Sequence, residues 1–288
     1  NHVTSEKTMG LYQNNNASQL AILTDGIYNN IDFTVNTLDN QTSLLNTLSG
    51  LNLTYFKRAP SQLFDKDAKS LNQRVAKNVS NSNKDFVTIT YQVIAPPHSQ
   101  LYVSIPNISW SDDNNHSLSI TVNGVTKNQV TDNTFDFFDL GYFETESMVT
   151  IKLSFPGNKA ISFDNPSFYA LDTQNYQIAM DTINERDSKV TTSNNKVFVD
   201  YSSKTNASLF FTIPYDKGWT ATINHKKVKI QRAQKGFIKV DVPSGKGKVV
   251  LTFIPYGLKT GSLISLLASI IFCCYAYFIR KTTIIQKS

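Results

Sequence analysis

Residues 85–93 read DFVTITYQV, and their alternation decides the fold class. Val87, Ile89, Tyr91 and Val93 fall on one side of an extended chain, and Phe86, Thr88 and Thr90 on the other. A period of two with β-branched content marks a half-buried strand. The turn-forming pair Pro96-Pro97 follows, then another candidate strand at 101–105. The same grammar continues at 118–122, 149–155, 196–200, 209–213, 219–223, 227–230, 237–242 and 249–254. Turns about every ten residues predict a mainly β chain of sandwich or jelly-roll type.

Two helices interrupt this pattern. Residues 42–48 place Leu44, Leu45 and Leu48 on one face, with Gly50 as the C-terminal stop. Residues 173–185 follow the N-cap candidate Asp172 and set Tyr176, Ala179, Met180 and Ile183 at helical spacing, as a packed connector between modules would.

An internal echo predicts two tandem modules. ITVNGV (120–125) leads to VTIKLSFPG (149–157), and ATINHKKV (221–228) leads through FIKVDVPSGKG to VVLTFIPYG (249–257). Each copy reads strand, Asn-centred hairpin, strand, short turn, apolar strand, Pro, Gly. The expected organisation is a first β module over 1–171, a second, basic module over 172–258 opened by the connector helix, a transmembrane helix over 259–280 and a basic tail over 281–288.

Residues 260–279, TGSLISLLASIIFCCYAYFI, contain no acidic or basic side chain. Twenty residues at about 1.5 Å each span roughly 30 Å of hydrocarbon. Tyr275 and Tyr277 lie near one end, and Arg280 and Lys281 follow at once. The positive-inside rule then places the tail in the cytoplasm and the β modules outside. No LPxTG-like pentapeptide precedes the segment, which argues against a sortase anchor. The chain starts at Asn1 without a signal-peptide pattern and reads as a piece of a longer protein.

Both cysteines, Cys273 and Cys274, fall in the apolar segment, so no disulfide or Cys-based metal site is expected in the β modules. The four histidines are scattered without ligand spacing, and neither metal nor cofactor is expected. Asp112 with Asp113, and Asp136 with Asp139, are the acid pairs that could hold Ca²⁺ or act together, although loop acids are usually solvated. SGKGK (244–248) lacks P-loop spacing and reads as a turn.

The net charge of +6 hides an asymmetry: residues 204–259 hold 11 Lys/Arg against 2 acids. Lys227 and Lys229 share a strand face opposite Val228 and Ile230, with Lys226, Arg232, Lys235, Lys239, Lys246 and Lys248 close in sequence. Such a surface attracts an anionic glycan polymer or lipid headgroups, and equally serves as a solvated face. An outside location argues against nucleic acid as a partner. The sharpest local motif is Pro214-Tyr215-Asp216-Lys217-Gly218-Trp219. Trp219 or Tyr215 could stack on a sugar ring while Asp216 and Lys217 contact hydroxyls or phosphate. The alternative is a core Trp under a fixed turn. Phe135, Phe137, Phe138, Tyr142 and Phe143 read as sandwich core or as a ligand platform.

Residues 209–265, LFFTIPYDKGWTATINHKKVKIQRAQKGFIKVDVPSGKGKVVLTFIPYGLKTGSLIS, closely resemble the C-terminal end of the YfhO family of bacterial membrane proteins. The family's hallmark is an IPYDKGW turn, then an NGK hairpin, a GF strand, a short PxG turn and a final YxPxG before the last transmembrane helix. DNQTSLLNTLSGLNLTYF (39–56) is similar to the segment before the family's first β module. His225 stands where the family pattern usually has Gly, which leaves the hairpin's turn type open. The resemblance implies a polytopic protein whose transmembrane part is similar to C-type glycosyltransferases. These transfer sugar from an undecaprenyl-phosphate carrier and here would decorate teichoic or lipoteichoic acid. Their catalytic acid lies between early transmembrane helices, so no catalytic residue carries over and the fragment itself has no complete active site. Two readings remain: an accessory, acceptor-positioning region partnered with the missing transmembrane portion of the same polypeptide, or a non-catalytic membrane-anchored carbohydrate-binding or structural module.

Overall fold

The computed structural model describes residues 2–6, 9–12, 14, 17–34, 37–66, 71–72, 75–76, 86–110, 116–131, 136–156 and 161–285. Asp112, Asp113, Phe135 and Lys287 lie outside the described residues. In chain order the elements are β1 His2–Glu6, β2 Met9–Tyr12, β3 Ala21–Leu23, α1 Thr37–Ser49, β4 Phe56–Arg58, β5 Ser61–Lys66, β6 Leu71–Asn72, β7 Val75–Ala76, β8 Phe86–Ala95, β9 Ser99–Ile105, β10 Ser109–Trp110, β11 His116–Val122, β12 Val125–Thr131, β13 Asp136–Phe143, β14 Ser147–Pro156, β15 Ile161–Ser162 and β16 Ser167–Asp172. The second half holds α2 Thr173–Asn184, β17 Ser188–Ser193, β18 Lys196–Ser203, β19 Ala207–Pro214, β20 Trp219–Ile223, β21 Lys226–Val228, β22 Gln231–Ala233, β23 Phe237–Val242, β24 Gly245–Phe253 and α3 Leu258–Ile285. The chain is mainly β, as its alternation predicts.

Two compact units divide these elements. One comprises Asp32–Asn46 and Leu51–Asp181, the other Asn1–Ile31, Thr47–Gly50 and Thr182–Ser288. The first has a five-stranded sheet, β12-β11-β14-β8-β5, and a four-stranded sheet, β13-β9-β16-β4. Ile89 and Val93 of β8 are fully buried, with Leu101 and Val103 of β9 and Val149, Ile151 and Leu153 of β14 in the same core. The inward residues of both sheets thus make one apolar cluster, each side chain contributing about 1.5–3 kcal/mol by leaving water.

The second unit has sheets β17-β18-β24-β20-β21 and β22-β23-β19-β3 around a core that includes Val199, Leu209, Phe211, Ala221, Ile238, Val240 and Leu251. Its larger sheet repeats the first unit's order: hairpin strand, its partner, the long apolar strand, then two more. The hairpins match in detail. Asn123 and Gly124 have φ of 46° and 88°, and Asn224 and His225 have φ of 46° and 70°. Each is a two-residue loop, Val122 facing Val125 and Ile223 facing Lys226, so both are the left-handed pair of a type I′ turn. In each copy the loop Asn also reaches the next strand. Thr150 N donates to Asn123 Oδ1 at 3.0 Å, and Lys248 N donates to Asn224 Oδ1 at 2.9 Å. His225 therefore adopts the left-handed conformation of a type I′ turn and accepts backbone strain to do so.

The smaller sheets share three neighbours, β13-β9-β16 against β23-β19-β3, while their fourth strands, β4 and β22, lie at opposite edges. In the first unit β9 lies between β13 and β16, which comes after the long apolar β14 and the two-residue β15. In the second unit β19 lies between β23 and β3, which comes from the start of the chain. Ala21, Ile22 and Leu23 pair with Phe211, Phe210 and Leu209. After β24 the chain leaves for α3, so no following strand is there to fill the slot, and residues 21–23 fill it instead. The compact units therefore group the described residues up to Ile31 with the second half rather than dividing between 171 and 172, because β3 pairs with β19, which sequence order does not reveal.

Both expected helices are present. Asp172 Oδ1 accepts the Asn175 amide at 3.0 Å, the N-cap bond that starts α2. Ala179, Met180 and Ile183 are buried and Tyr176 is half-buried. Helix α1 begins at Thr37, five residues before the expected start at 42, and buries Leu38 as well as Leu48; it ends at Gly50 with φ of 74°. Helix α3 continues the candidate span Leu258–Tyr277, whose mean hydropathy is 1.7 and of which none is buried. Ser269 Oγ donates to the Ser265 carbonyl at 2.8 Å, so that hydroxyl is satisfied within the apolar helix.

Candidate functional site

The IPYDKGW turn closes the end of the second unit from which α3 departs. Strand β19 bulges between Phe211 and Pro214 and turns after Pro214, which lies opposite Phe237. The Asp216 carboxylate accepts the Gly218 amide at 2.6 Å, and its carbonyl accepts the Trp219 amide at 3.2 Å. These bonds fold the carboxylate back into its own turn. Gly218 passes so close to the following chain that an added Cβ would lie 2.3 Å from the Ile254 carbonyl oxygen. The motif is therefore a clasp on the last residues before the helix.

The structure brings Tyr215, Asp216, Lys217 and Trp219 together at this end. Trp219 is half-buried and leans on Phe253, its cross-strand partner, with ring centroids 4.9 Å apart. Tyr215 is half-buried under the Arg232 guanidinium, 4.8 Å from the ring centroid. Lys217 is exposed. Trp219 is thus neither a central core residue nor a bare platform: one face packs and the rest meets solvent. Sequence reasoning misses Arg232 as Tyr215's partner, and misses Phe253 and Tyr256, although an aromatic just before an apolar helix is the signal that marks Tyr256.

Lys227 and Lys229 are not part of that cluster. Lys227 lies opposite Thr222, toward the Asn224-His225 hairpin, and Lys229 follows where the chain leaves β21. Residues 227–230 do not form one strand: the chain crosses from one sheet to the other between Val228 and Gln231, packing Val228 and Ile230 against the core. Lys226, Lys227, Lys229 and Lys246 are exposed, while Lys248 pairs with Asp200 at 3.3 Å. From Lys246 to Phe253 the strand runs seven residues, about 23 Å at 3.3 Å per residue. With charge screened beyond about 8 Å at physiological salt, the basic residues at the two ends act separately.

Lys239, grouped by sequence with the basic surface, is buried. Its ammonium donates to the Tyr28 carbonyl at 2.8 Å and pairs with Asp241 at 3.3 Å. Residues 24–31 cross the outer face of the smaller sheet, with Tyr28 against Phe210 at 5.1 Å and its hydroxyl donating to Gln234 Oε1 at 2.5 Å. Burial pushes the Tyr28 phenol up to about 12. Burial works against the Asp241 charge, yet hydrogen bonds from Ser208 and Gln231 and the Lys239 ammonium hold its pKa below the ordinary value.

In the first unit the aromatic run divides by strand alternation. Phe138 is in the core and Phe143 packs against it, whereas Phe137 faces away and stacks on Tyr102 at 4.8 Å and 15°. Asp139 accepts the Gly141 amide at 2.9 Å and contacts the Gln100 side-chain amide. It also lines a cleft of about 170 Å³ with Ile120, Val122, Val125, Lys127, Gln129 and Leu140. Among the described residues no three His, Cys, Asp or Glu side chains come together to hold a metal.

Residues 1–265 match the family described as bacterial membrane protein YfhO. The chain belongs to the YfhO family. A curated relative, the uncharacterized protein YfhO of Bacillus subtilis (strain 168), is 26% identical over 141 residues, covering 46% of this chain. The chain spans only 16% of that YfhO protein's length. Solved structures give distant likenesses to this YfhO-family chain. A β-D-glucuronidase from Dictyoglomus thermophilum is 11% identical with a TM-score of 0.29, covering 71% of this chain and 39% of the enzyme. The tandem CBM22-1-CBM22-2 domain of Paenibacillus barcinonensis Xyn10C is 11% identical with a TM-score of 0.22, covering 70% and 86%. A family two carbohydrate esterase from Cellvibrio japonicus is 10% identical with a TM-score of 0.23, covering 39% and 33%. None superposes well enough to define the fold or the function.

Proposed function

We propose that this chain is the extracytoplasmic, acceptor-positioning part of a polytopic membrane glycosyltransferase that moves sugar from an undecaprenyl-phosphate carrier to teichoic or lipoteichoic acid. In this reading the β units lie outside the bacterial membrane, the tail after α3 is cytoplasmic, and the reaction belongs to transmembrane helices elsewhere in the polypeptide. The family membership and the resemblance of the IPYDKGW region support it. The observation that carries the positioning role is the exposed group Lys226, Lys227 and Lys246 beside the Asn224-His225 hairpin, on a unit that enters α3 after only residues 254–257. Exposed cations on a unit tethered to the bilayer concentrate a polyanionic chain above the membrane-embedded site.

Full chain in zwitterionic nanodiscs, titrated with lipoteichoic acid, tests this. Affinity should fall when salt rises from about 0.05 to about 0.5 M, as screening shortens the reach of the charges, and fall again in Lys226→Gln/Lys227→Gln/Lys246→Gln. Affinity indifferent to both changes overturns the positioning role. A second reading, a carbohydrate-binding module without an enzyme, is favoured by the outward Tyr102–Phe137 stack flanked by Asp139 and Gln100. Neutral glycans binding in a manner lost on Tyr102→Ala, and insensitive to the lysine changes, would support it.

A further inference from the structure

Four segments converge where the second unit hands the chain to α3. Asn195 binds Phe253 twice, its side-chain amide donating to the Phe253 carbonyl at 2.7 Å and its carbonyl accepting the Phe253 amide at 2.9 Å. The Ile254 amide donates to Gly218, and the Tyr215 amide donates to Gly236 at 2.7 Å. The turns 193–196, 214–219 and 232–236 therefore form one rim around residues 254–259. These segments carry Lys196, Lys217, Arg232, Lys235 and Lys259, all exposed, against the one acid Asp216. They also carry Tyr215, Trp219 and Tyr256, the last 84% exposed immediately before the helix.

We infer that this rim docks on the phosphates of anionic phospholipids in the bilayer that α3 enters. Three observations converge on that occupant. The rim is cationic where the headgroups are anionic. Its aromatic residues are Tyr and Trp, the types that settle at a membrane interface, and the Trp219 indole N–H has no acceptor among the described residues. Its reach is short, because the link from Ile254 to Leu258 extends at most about 14 Å even when fully drawn out. The Leu258 amide bonds back to Pro255 at 3.1 Å, which shortens that link further. The rim therefore stays within the headgroup layer, and its lysines meet phosphate there rather than bulk water. This surface is separate from the hairpin-end lysines assigned to the polymer acceptor.

The two tryptophans make the test direct, since Trp110 is only 1% exposed in the first unit and Trp219 is half-buried at the rim. Full chain is reconstituted in vesicles of phosphatidylcholine with rising phosphatidylglycerol, containing a lipid brominated just below the headgroup, and tryptophan quenching is recorded. Quenching should grow with the phosphatidylglycerol fraction, vanish in Trp219→Phe and weaken at about 0.5 M NaCl, where charges are screened. One neutralised cation should lower the ratio of docked to undocked rim at a given phosphatidylglycerol fraction about fivefold. Lys196→Glu/Lys217→Glu should therefore abolish the dependence, while Lys227→Glu at the other end leaves it unchanged. Inorganic phosphate should compete no better than chloride of equal ionic strength; stronger competition would mean a free-phosphate site and overturn the lipid assignment. Quenching equal in pure phosphatidylcholine, or unchanged in the double variant, also overturns it. Loss of lipoteichoic acid binding in the hairpin-end variants is a separate result.

Discussion

The Gly218 carbonyl accepts the Ile254 amide at 3.0 Å, and this contact ties the family's IPYDKGW turn to the last strand residues before the membrane helix. A methyl at Gly218 would meet the Ile254 carbonyl oxygen at 2.3 Å and the Phe253 ring at 2.9 Å. Backbone cannot retreat as a flexible side chain can, so Gly218→Ala should cost about 1–3 kcal/mol. A lower Tm of the detergent-solubilised chain is expected; an unchanged Tm would mean that the clasp yields freely.

His225 holds φ of 70° in the second hairpin, a conformation that glycine adopts without cost. Relief of left-handed strain amounts to about 1–2 kcal/mol, part of it offset by glycine's greater freedom in the unfolded chain. His225→Gly should raise Tm by a few degrees. A fall in Tm would show that the imidazole makes a contribution exceeding its strain.

Arg186 joins elements that are far apart in sequence. Its guanidinium donates to the carbonyls of Leu23 and Leu48 at 2.6 Å and of Ser49 at 2.5 Å, and to the Asp25 carboxylate at 2.6 Å. The side chain is 9% exposed, and the Leu48 and Ser49 carbonyls are at the C-terminus of α1, where a cation is favoured. Lysine offers one point of donors instead of a fork, so Arg186→Lys should cost about 3 kcal/mol in chemical denaturation. Full retention of stability would contradict this arrangement.

The Tyr28–Asp241 network predicts two limbs of pH dependence. Asp241 has a depressed pKa when folded, so its contribution is present above the unfolded value of 3.8 and is lost as pH falls through the folded one. Tyr28 has a raised pKa; its contribution is complete below the ordinary value of 10.0 and disappears as pH rises toward about 12. Melting curves should therefore show a shallower acid limb below pH 3.8 in Asp241→Asn and a shallower alkaline limb in Tyr28→Phe. Limbs matching those of the unaltered chain in both variants would remove the network from the pH response.

Alternation and turn chemistry make most strands legible in the sequence. The interval 149–155 lies within β14, Trp219–Ile223 and Phe237–Val242 match residue for residue, and Asp172 caps α2 as its position predicts. The hairpin echo is readable because an Asn at a two-residue loop is a local requirement of the backbone. The candidate site is half legible. Tyr215 to Trp219 form one cluster because they are contiguous, whereas Arg232, Asn195 and Phe253 join it only through strand register.

By itself the sequence determined the element types, the apolar helix and the excess of cations near it, since each depends on neighbours within a few residues. Tertiary structure decided that Ala21–Leu23 completes the last sheet, that Lys239 is buried, and that the remaining lysines divide between the two ends of β24. The reason is that β pairing joins residues separated by up to about 190 positions in this chain, as when Phe211 meets Ala21. Which residues pair at that separation depends on how edge strands are shared, and hydrophobic periodicity carries no record of that choice.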